Sequence, residues 1–321
     1  MSSLGPRSPR HVADCTAGVL AVVVLAAFGG SCGDRSPRSD DPSVMEPMVA
    51  DPPEAQPGDT LPNDMQPGSM PGACGAAPST AAEGLPHWTP ATIGSFEIFH
   101  FESMGEFNQK LRGVDVVTLE LDEVEAAGGR AVTDAARARG ARVICYTSSG
   151  YEDWRDDAGS YPEDAKGGAI CRDDACRSTW PGEAWGDIRR PSLIAFLGTR
   201  ADRAVEAGCD GIEFDNMDQA YNDTGLAMSV DENREAALSL ARLGHERGLA
   251  VLAKNTGELA CALAPAFDGV FIEECQQNDE CDAYLPYRGK LVAMVEYESG
   301  CRSRDWSVCN EQDDYFDEDG R

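Results

Sequence analysis

The chain has 321 residues, room for one or two domains, and 42% of them are apolar, enough for a full core. Its 56 Asp and Glu against 27 Lys and Arg leave a formal charge of -29. That balance excludes nucleic acid as a partner, because phosphate affinity comes from Lys and Arg; it suits a cationic partner, or serves solubility alone.

At the N-terminus, Arg7 and Arg10 precede an apolar run over residues 18–28. The run has the length of a signal-peptide core and is too short to span a bilayer. Gly29, Gly30 and Ser31 lead to Cys32, an order that resembles a bacterial lipoprotein signal, although Gly29 stands where such signals usually carry Leu. The expectation is a leader over 1–31 and a lipid anchor on Cys32 that holds the exported chain on a membrane, with simple secretion as the alternative. Residues 33–85 carry ten of the nineteen prolines and sustain no apolar period, so 32–85 reads as a disordered tether rich in Pro, Gly and Asp.

From residue 95 the texture changes. Apolar runs at 96–101, 114–121, 142–148, 211–214, 250–253, 269–273 and 291–296 read as strands, and 130–139, 193–207 and 232–247 as helices. Three of the helical runs end in Gly140, Gly208 and Gly248, the left-handed cap that turns a chain into the next strand. Strand, helix, Gly and strand in repetition means parallel strands with crossover helices. Seven such strands over 86–300, with no Gly-rich phosphate loop, favour an α/β fold of the (β/α)8 TIM-barrel type. The eighth strand is not evident. Residues 301–321 read as an acidic, Cys-containing tail, so the barrel is open at that seam, or a segment from Val308 closes it poorly, or the chain stops short.

Apart from Cys15 and Cys32, ten cysteines remain, and export makes disulfides the default. Cys171 and Cys176, Cys275 and Cys281, and Cys301 and Cys309 are close pairs; partners for Cys74, Cys145, Cys209 and Cys261 are not legible. No Cys-x-x-Cys occurs, and His11, His87, His100 and His245 lie far from the pairs, so zinc is not expected. A calcium loop is absent too, and Asp313–Asp319 looks like a solvated tail.

In a parallel barrel the chemistry sits at the C-terminal strand ends. Those ends carry Glu120 and Asp122, Tyr146, Ser148 and Ser149, Glu213, Asp215 and Asn216, Lys254 and Asn255, Glu273 and Glu274, and Glu296, Tyr297 and Glu298. Two carboxyl groups, one protonated and one ionised, are the minimum for cleaving a glycosidic bond. Crowded acids supply both states, because like charges oppose ionisation. Tyr146, Tyr151, Trp154 and Tyr297 are the aromatics available to stack on sugars.

The runs at 143–146, 151–155, 210–216, 254–255, 273–275, 278–281 and 295–297 resemble glycoside hydrolase family 114, the endo-α-1,4-polygalactosaminidase-like barrels. The resemblance covers about Ser95 to Tyr297 in the family's order. It implies a (β/α) barrel that cleaves α-1,4-linked galactosamine polymers internally, with Asp215 and Glu273 on the family's catalytic carboxylates and a disulfide between Cys275 and Cys281. The chain departs from the family in strand one, where 97–101 replace a Trp-x-Trp-Gln type run, in strand two, with Thr118 and Glu120 where it carries Asp, and in strand six, with Ile272 where it carries Asn; these changes bear on substrate choice. On this reading Glu120, Tyr146, Glu213, Asn216, Lys254, Asn255, Glu296 and Tyr297 shape the sugar subsites. Polysaccharide is the substrate, no metal or organic cofactor is required and no protein partner is evident. The alternatives are a sugar-binding barrel on the cell surface that has lost turnover, and a purely structural lipoprotein.

If the leader is read correctly, the protein fractionates with membranes and carries diacylglycerol on Cys32, and Cys32→Ala releases it or stalls processing. Soluble wild-type protein with an N-terminus well past Cys32 would refute the anchor.

Overall fold

A computed structural model describes residues 94–171, 178–297, 300–305 and 307–311. Its first half runs β1 (Phe96–Ile98), α1 (Met104–Lys110), β2 (Val116–Glu120), α2 (Leu121–Ala126), α3 (Arg130–Ala138) and β3 (Arg142–Ser148). An insertion follows, with β4 (Tyr151–Glu152), β5 (Lys166–Cys171) and β6 (Thr179–Gly186). The second half runs α4 (Pro191–Ala207), β7 (Gly211–Asp215), α5 (Val230–His245), β8 (Ala250–Lys254), α6 (Ala260–Leu263), β9 (Gly269–Glu273), β10 (Leu291–Glu296) and β11 (Val308–Glu311). No helix among the described residues is long and apolar enough to cross a membrane.

The eight long-range strands form one parallel sheet in the order β1-β2-β3-β7-β8-β9-β10-β11. Helices separate most of them in sequence, as crossover connections require. Gly140, Gly208 and Gly248 all have positive φ, at 93°, 80° and 77°, so each turns the chain as its place after a helix implied. Ser229 caps α5 reciprocally with Glu232, fixing where that helix begins.

Alternate residues of each strand divide between two apolar layers. Val117, Leu119, Ile212, Phe214, Val251 and Val270 pack outward against the helices. Phe96, Val116, Ile144, Leu252, Phe271 and Val295 pack with one another inside the barrel. This period of two decides which strand-end residues can meet at the mouth.

The eighth strand exists. Of the alternatives left by the sequence, the segment from Val308 is the one found: β11 pairs in parallel with β10, Met294 opposite Cys309. Four residues suffice because Val308 joins the interior cluster with Phe96, while Asn310 Nδ2 donates to the Phe96 carbonyl at 3.3 Å across the seam. The barrel therefore extends past the boundary expected at residue 300, since 308–311 of the expected tail pair with β10; 312–321 lie outside the described residues. The three-stranded antiparallel sheet β4-β6-β5 was not legible either. Its strands are short or rich in glycine and sustain no alternation.

Disulfides join Cys275 to Cys281, Cys301 to Cys309, and Cys145 to Cys209. Cys171 and Cys261 are also disulfide-bonded; Cys176 and Cys74 lie outside the described residues. Cys145 is in β3 and Cys209 precedes β7, so that bridge ties neighbouring strands across 64 residues of chain. A closed loop of that length contributes about 4 kcal/mol on the chain-entropy account. Replacing both cysteines by Ala is expected to lower the melting midpoint by about 10 °C, read by calorimetry. An unchanged midpoint would show that the bridge adds nothing.

Candidate active site

The residues gathered at the mouth follow from strand parity. On β7, Gly211, Glu213 and Asp215 point inward; on β8, Leu252 and Lys254; on β9, Phe271 and Glu273. Parallel pairing sets Ser148 beside Asp215 and Tyr146 beside Glu213, and Glu273 beside Val295.

Lys254 is the centre of the arrangement. Its Nζ lies 2.8 Å from Asp215 Oδ1 and 2.9 Å from Glu273 Oε2. Those two oxygens are thus separated by no more than the two distances combined, about 5.7 Å. The lysine side chain is buried. Burial alone would favour its neutral form, but the charge of the neighbouring acids, Asp215 first, outweighs that and holds its proton well above the usual lysine range.

Asp215 accepts from Lys254, from Tyr146 Oη at 2.8 Å and from the Asn216 amide at 2.7 Å. Its burial opposes ionisation, yet Lys254 first, and then Tyr146 and the Asn216 amide, bring it below the ordinary aspartate range. Glu273 takes a hydrogen bond from Tyr297 Oη, and its backbone N–H donates to Asn255 Oδ1 at 2.9 Å. The Asn255 amide nitrogen is 3.4 Å from Glu273 Oε2.

The residue following each of these three strands is left-handed: Asn216 (φ 59°), Asn255 (φ 45°) and Glu274 (φ 57°). Such a conformation in a non-glycine residue costs about 1–3 kcal/mol and gathers at functional sites. Here it bends the chain sharply as each inward side chain is delivered. Asn216 Nδ2 then donates to Ser148 Oγ at 2.9 Å, so both asparagines are engaged in holding carboxylates or strand ends.

Other expected subsite residues stand elsewhere. Glu120 is inward but spends both oxygens on the buried Arg155 guanidinium, at 2.6 and 3.0 Å. Arg155 also bonds Asp122 and Glu152, and the Glu120 and Glu152 charges hold it firmly protonated against its burial. In the sequence Arg155 stands within the 151–155 run and shows no role of its own. Glu296 does not face the mouth: it lies on the outward parity of β10 and accepts from the Gln276 and Gln277 amides at 2.8 and 3.2 Å. Glu213 faces inward one layer below Asp215 and is wholly buried, out of reach of a sugar. Trp154, 54% exposed, lies with its ring 4.5 Å from the Arg155 guanidinium carbon. Asp218, also missed, follows β7 and is pushed up to about 7 by burial and then by the Asp215 charge.

Among the described residues, one group brings possible metal ligands together. Cys275, Cys281 and Glu296 bring ligand atoms within 4.8 Å of one another, but the two sulfurs are joined to each other and Glu296 is committed to backbone amides.

The family model for glycoside-hydrolase family GH114 matches residues 77–318. Among solved structures, Ega3 of Aspergillus fumigatus in complex with galactosamine is similar at 28% identity and a TM-score of 0.59, over 73% of this chain and 87% of that one. The glycoside hydrolase domain of PelA from Pseudomonas aeruginosa shares the fold at 20% identity and a TM-score of 0.51, over 64% of this chain and 85% of that one. No curated protein matches the chain.

The three donors to Asp215 make a titration prediction. Its depressed value favours the folded state at neutral pH, and that contribution is lost as pH falls through the folded value. Tyr146→Phe removes one donor to the ionised form, so Asp215 should titrate higher than in the wild type, and the acid-side loss of stability should begin at correspondingly higher pH. Carboxyl carbon NMR of the two proteins checks this; an unmoved Asp215 resonance midpoint would contradict the assigned hydrogen bond.

Proposed function

This chain belongs to glycoside-hydrolase family GH114, and from that premise we propose that it cleaves α-1,4-linked galactosamine polymers internally, with retention of configuration, through Asp215 and Glu273. The family makes it a glycoside hydrolase. The observation that carries the mechanism is the Lys254 ammonium shared by two carboxyl groups whose nearest oxygens are within about 5.7 Å. Carboxyl groups about 5–5.5 Å apart suit a covalent glycosyl intermediate, whereas inversion needs about 6.5–9.5 Å to admit water.

Asp215 is the nucleophile. Three hydrogen bonds keep it ionised and aimed, and it is the less exposed of the pair, 18% against 28% for the Glu273 side chain. Glu273 is the acid and then the base. As Asp215 attacks the anomeric carbon, Glu273 gives its proton to the leaving oxygen. The glycosyl ester has no charge, so Lys254 then faces Glu273 alone. Having given up its proton to the leaving group, Glu273 is the base that takes one from the incoming water.

Galactosamine polymers are cationic when not acetylated, and they suit a chain of formal charge -29. The galactosamine bound by Ega3, similar to this chain over most of both lengths, supports the same sugar. Tyr146, Asn216, Lys254, Asn255 and Tyr297 border the reacting pair, and the exposed Trp154 offers an aromatic face at its rim. A lipid on Cys32 and the tether over 32–85 would hold this barrel away from a membrane, where extracellular polysaccharide is met.

The test is digestion of de-N-acetylated galactosamine polymer, with released oligomers read by mass spectrometry and the first-formed anomer by proton NMR. Retention gives the α-anomer first. Asp215→Asn and Glu273→Gln should fold normally and lose at least about 1000-fold in kcat, about 4 kcal/mol in barrier. Either variant with more than about a tenth of wild-type activity, under 1.4 kcal/mol lost, would remove that residue from the chemistry. An initial β-anomer would show inversion.

A further inference from the structure

Glu213 is the least expected group in the barrel. It is fully buried, and neither carboxyl oxygen has a hydrogen-bond partner among the described residues. Leaving a buried polar group unmade costs about 1–3 kcal/mol, so a folded protein supplies a partner, commonly an internal water. The location is equally specific. Glu213 points inward on β7, between Tyr146 of β3 and Leu252 of β8 in the register. It sits one layer beneath Asp215 and Lys254.

Lys254 has a matching surplus. An ammonium has three hydrogens, and Asp215 and Glu273 account for two. Lys254 makes no ion pair with Glu213, yet it is the largest favourable charge acting on that carboxyl. The Phe271 ring, its centroid 5.5 Å from Nζ, is a weak alternative acceptor. Two buried polar groups that sense one another without touching are the usual setting for a bridging water. Thr118 Oγ1, inward on β2, is a further buried oxygen without a partner.

We propose that Glu213 holds a buried water which anchors the Lys254 ammonium from below, making Glu213 a positioning residue for the catalytic pair. The water accepts from Lys254 and bonds the Glu213 carboxyl. Lys254 is thereby fixed from three sides and stays midway between Asp215 and Glu273. Glu213 performs this as a neutral acid. Burial keeps its proton on; Lys254 opposes this, and the Asp215, Glu273 and Glu120 carboxylates reinforce it. The charged and titratable groups around it are Glu120 on β2, Tyr146 on β3, Asp215 on β7, Lys254 on β8 and Glu273 on β9. A further anion at Glu213 would draw Lys254 down and away from the substrate, so neutrality is part of the device.

The inference rests on Asp215 and Glu273 being the catalytic pair, and the experiment separates the two. Glu213→Gln keeps the shape and the hydrogen-bonding ends of a neutral acid; Glu213→Leu fills the space and binds no water. For Gln, kcat should stay within about threefold of wild type with both pH limbs in place. For Leu, kcat should fall about 30-fold or more with KM within about threefold, because a loosened ammonium misplaces the reacting groups rather than the sugar. The acidic limb of kcat for Leu should move to higher pH, since Asp215 loses part of the charge that keeps it ionised. A high-resolution crystal structure of the wild type should show the water within hydrogen-bond reach of Lys254 Nζ and Glu213. Leu with wild-type kcat and acidic limb, Gln as damaging as Leu, or no ordered water at that place would each overturn the proposal. If instead Asp215→Asn and Glu273→Gln stay active, the catalytic pair itself is wrong.

Discussion

One buried ammonium set between two carboxyl groups organises this barrel mouth. Lys254 could not remain charged in an apolar interior by itself, and Asp215 and Glu273 are both held in place by facing its ammonium. Each therefore depends on the others. The cluster is assembled from the ends of β7, β8 and β9, three consecutive neighbours in the sheet. The left-handed residues immediately beyond those strands are consistent with the same demand, since the backbone leaves its regular path where the side chains are delivered.

A second charged assembly holds the other side of the mouth, and its job is structural. Arg155 binds Glu120, Asp122 and Glu152, while Arg203 binds Asp122, Glu125 and Asp157. Arg200, also buried, joins Asp157 to the Ser148 carbonyl at the end of β3. These arginines tie the insertion after β3 to β2 and α4. Removing one partner from such a buried network leaves an uncompensated charge, which costs more than the pair contributes. Acids that look like sugar ligands in a linear reading, Glu120 and Asp122 among them, are thereby committed to arginines.

The far seam is closed by a different economy of means. β11 has four residues, but Val308 fills the barrel interior beside Phe96, Asn310 reaches the first strand, and Cys309 is fastened to Cys301. Glu296, outward on β10, caps the loop that follows β9, and the Cys275–Cys281 bridge closes that same loop. Glu273 stands at its start, so both devices limit how far the carboxyl can wander.

The amino-acid sequence determined the repeating strands, the glycines that end the helices and the order of the carboxylates, because these are local matters of periodicity and backbone conformation. Runs at 142–148, 269–273 and 291–296 coincide with strands, and Asp215 and Glu273 were legible as strand-end acids from that pattern, with resemblance to a family singling them out. Only the tertiary structure decided where each acid lies and what it pairs with. Glu120 is neutralised by an arginine 35 residues away, Glu213 is hidden one layer down, and Glu296 faces outward. Cys145 found Cys209 because β3 and β7 are neighbours in the sheet although 64 residues separate the two cysteines. The eighth strand was too short to show a period and exists because β10 and Phe96 offer it a place. Depth, pairing and charge partnership are properties of contacts distant in sequence, and a linear pattern carries no term for them.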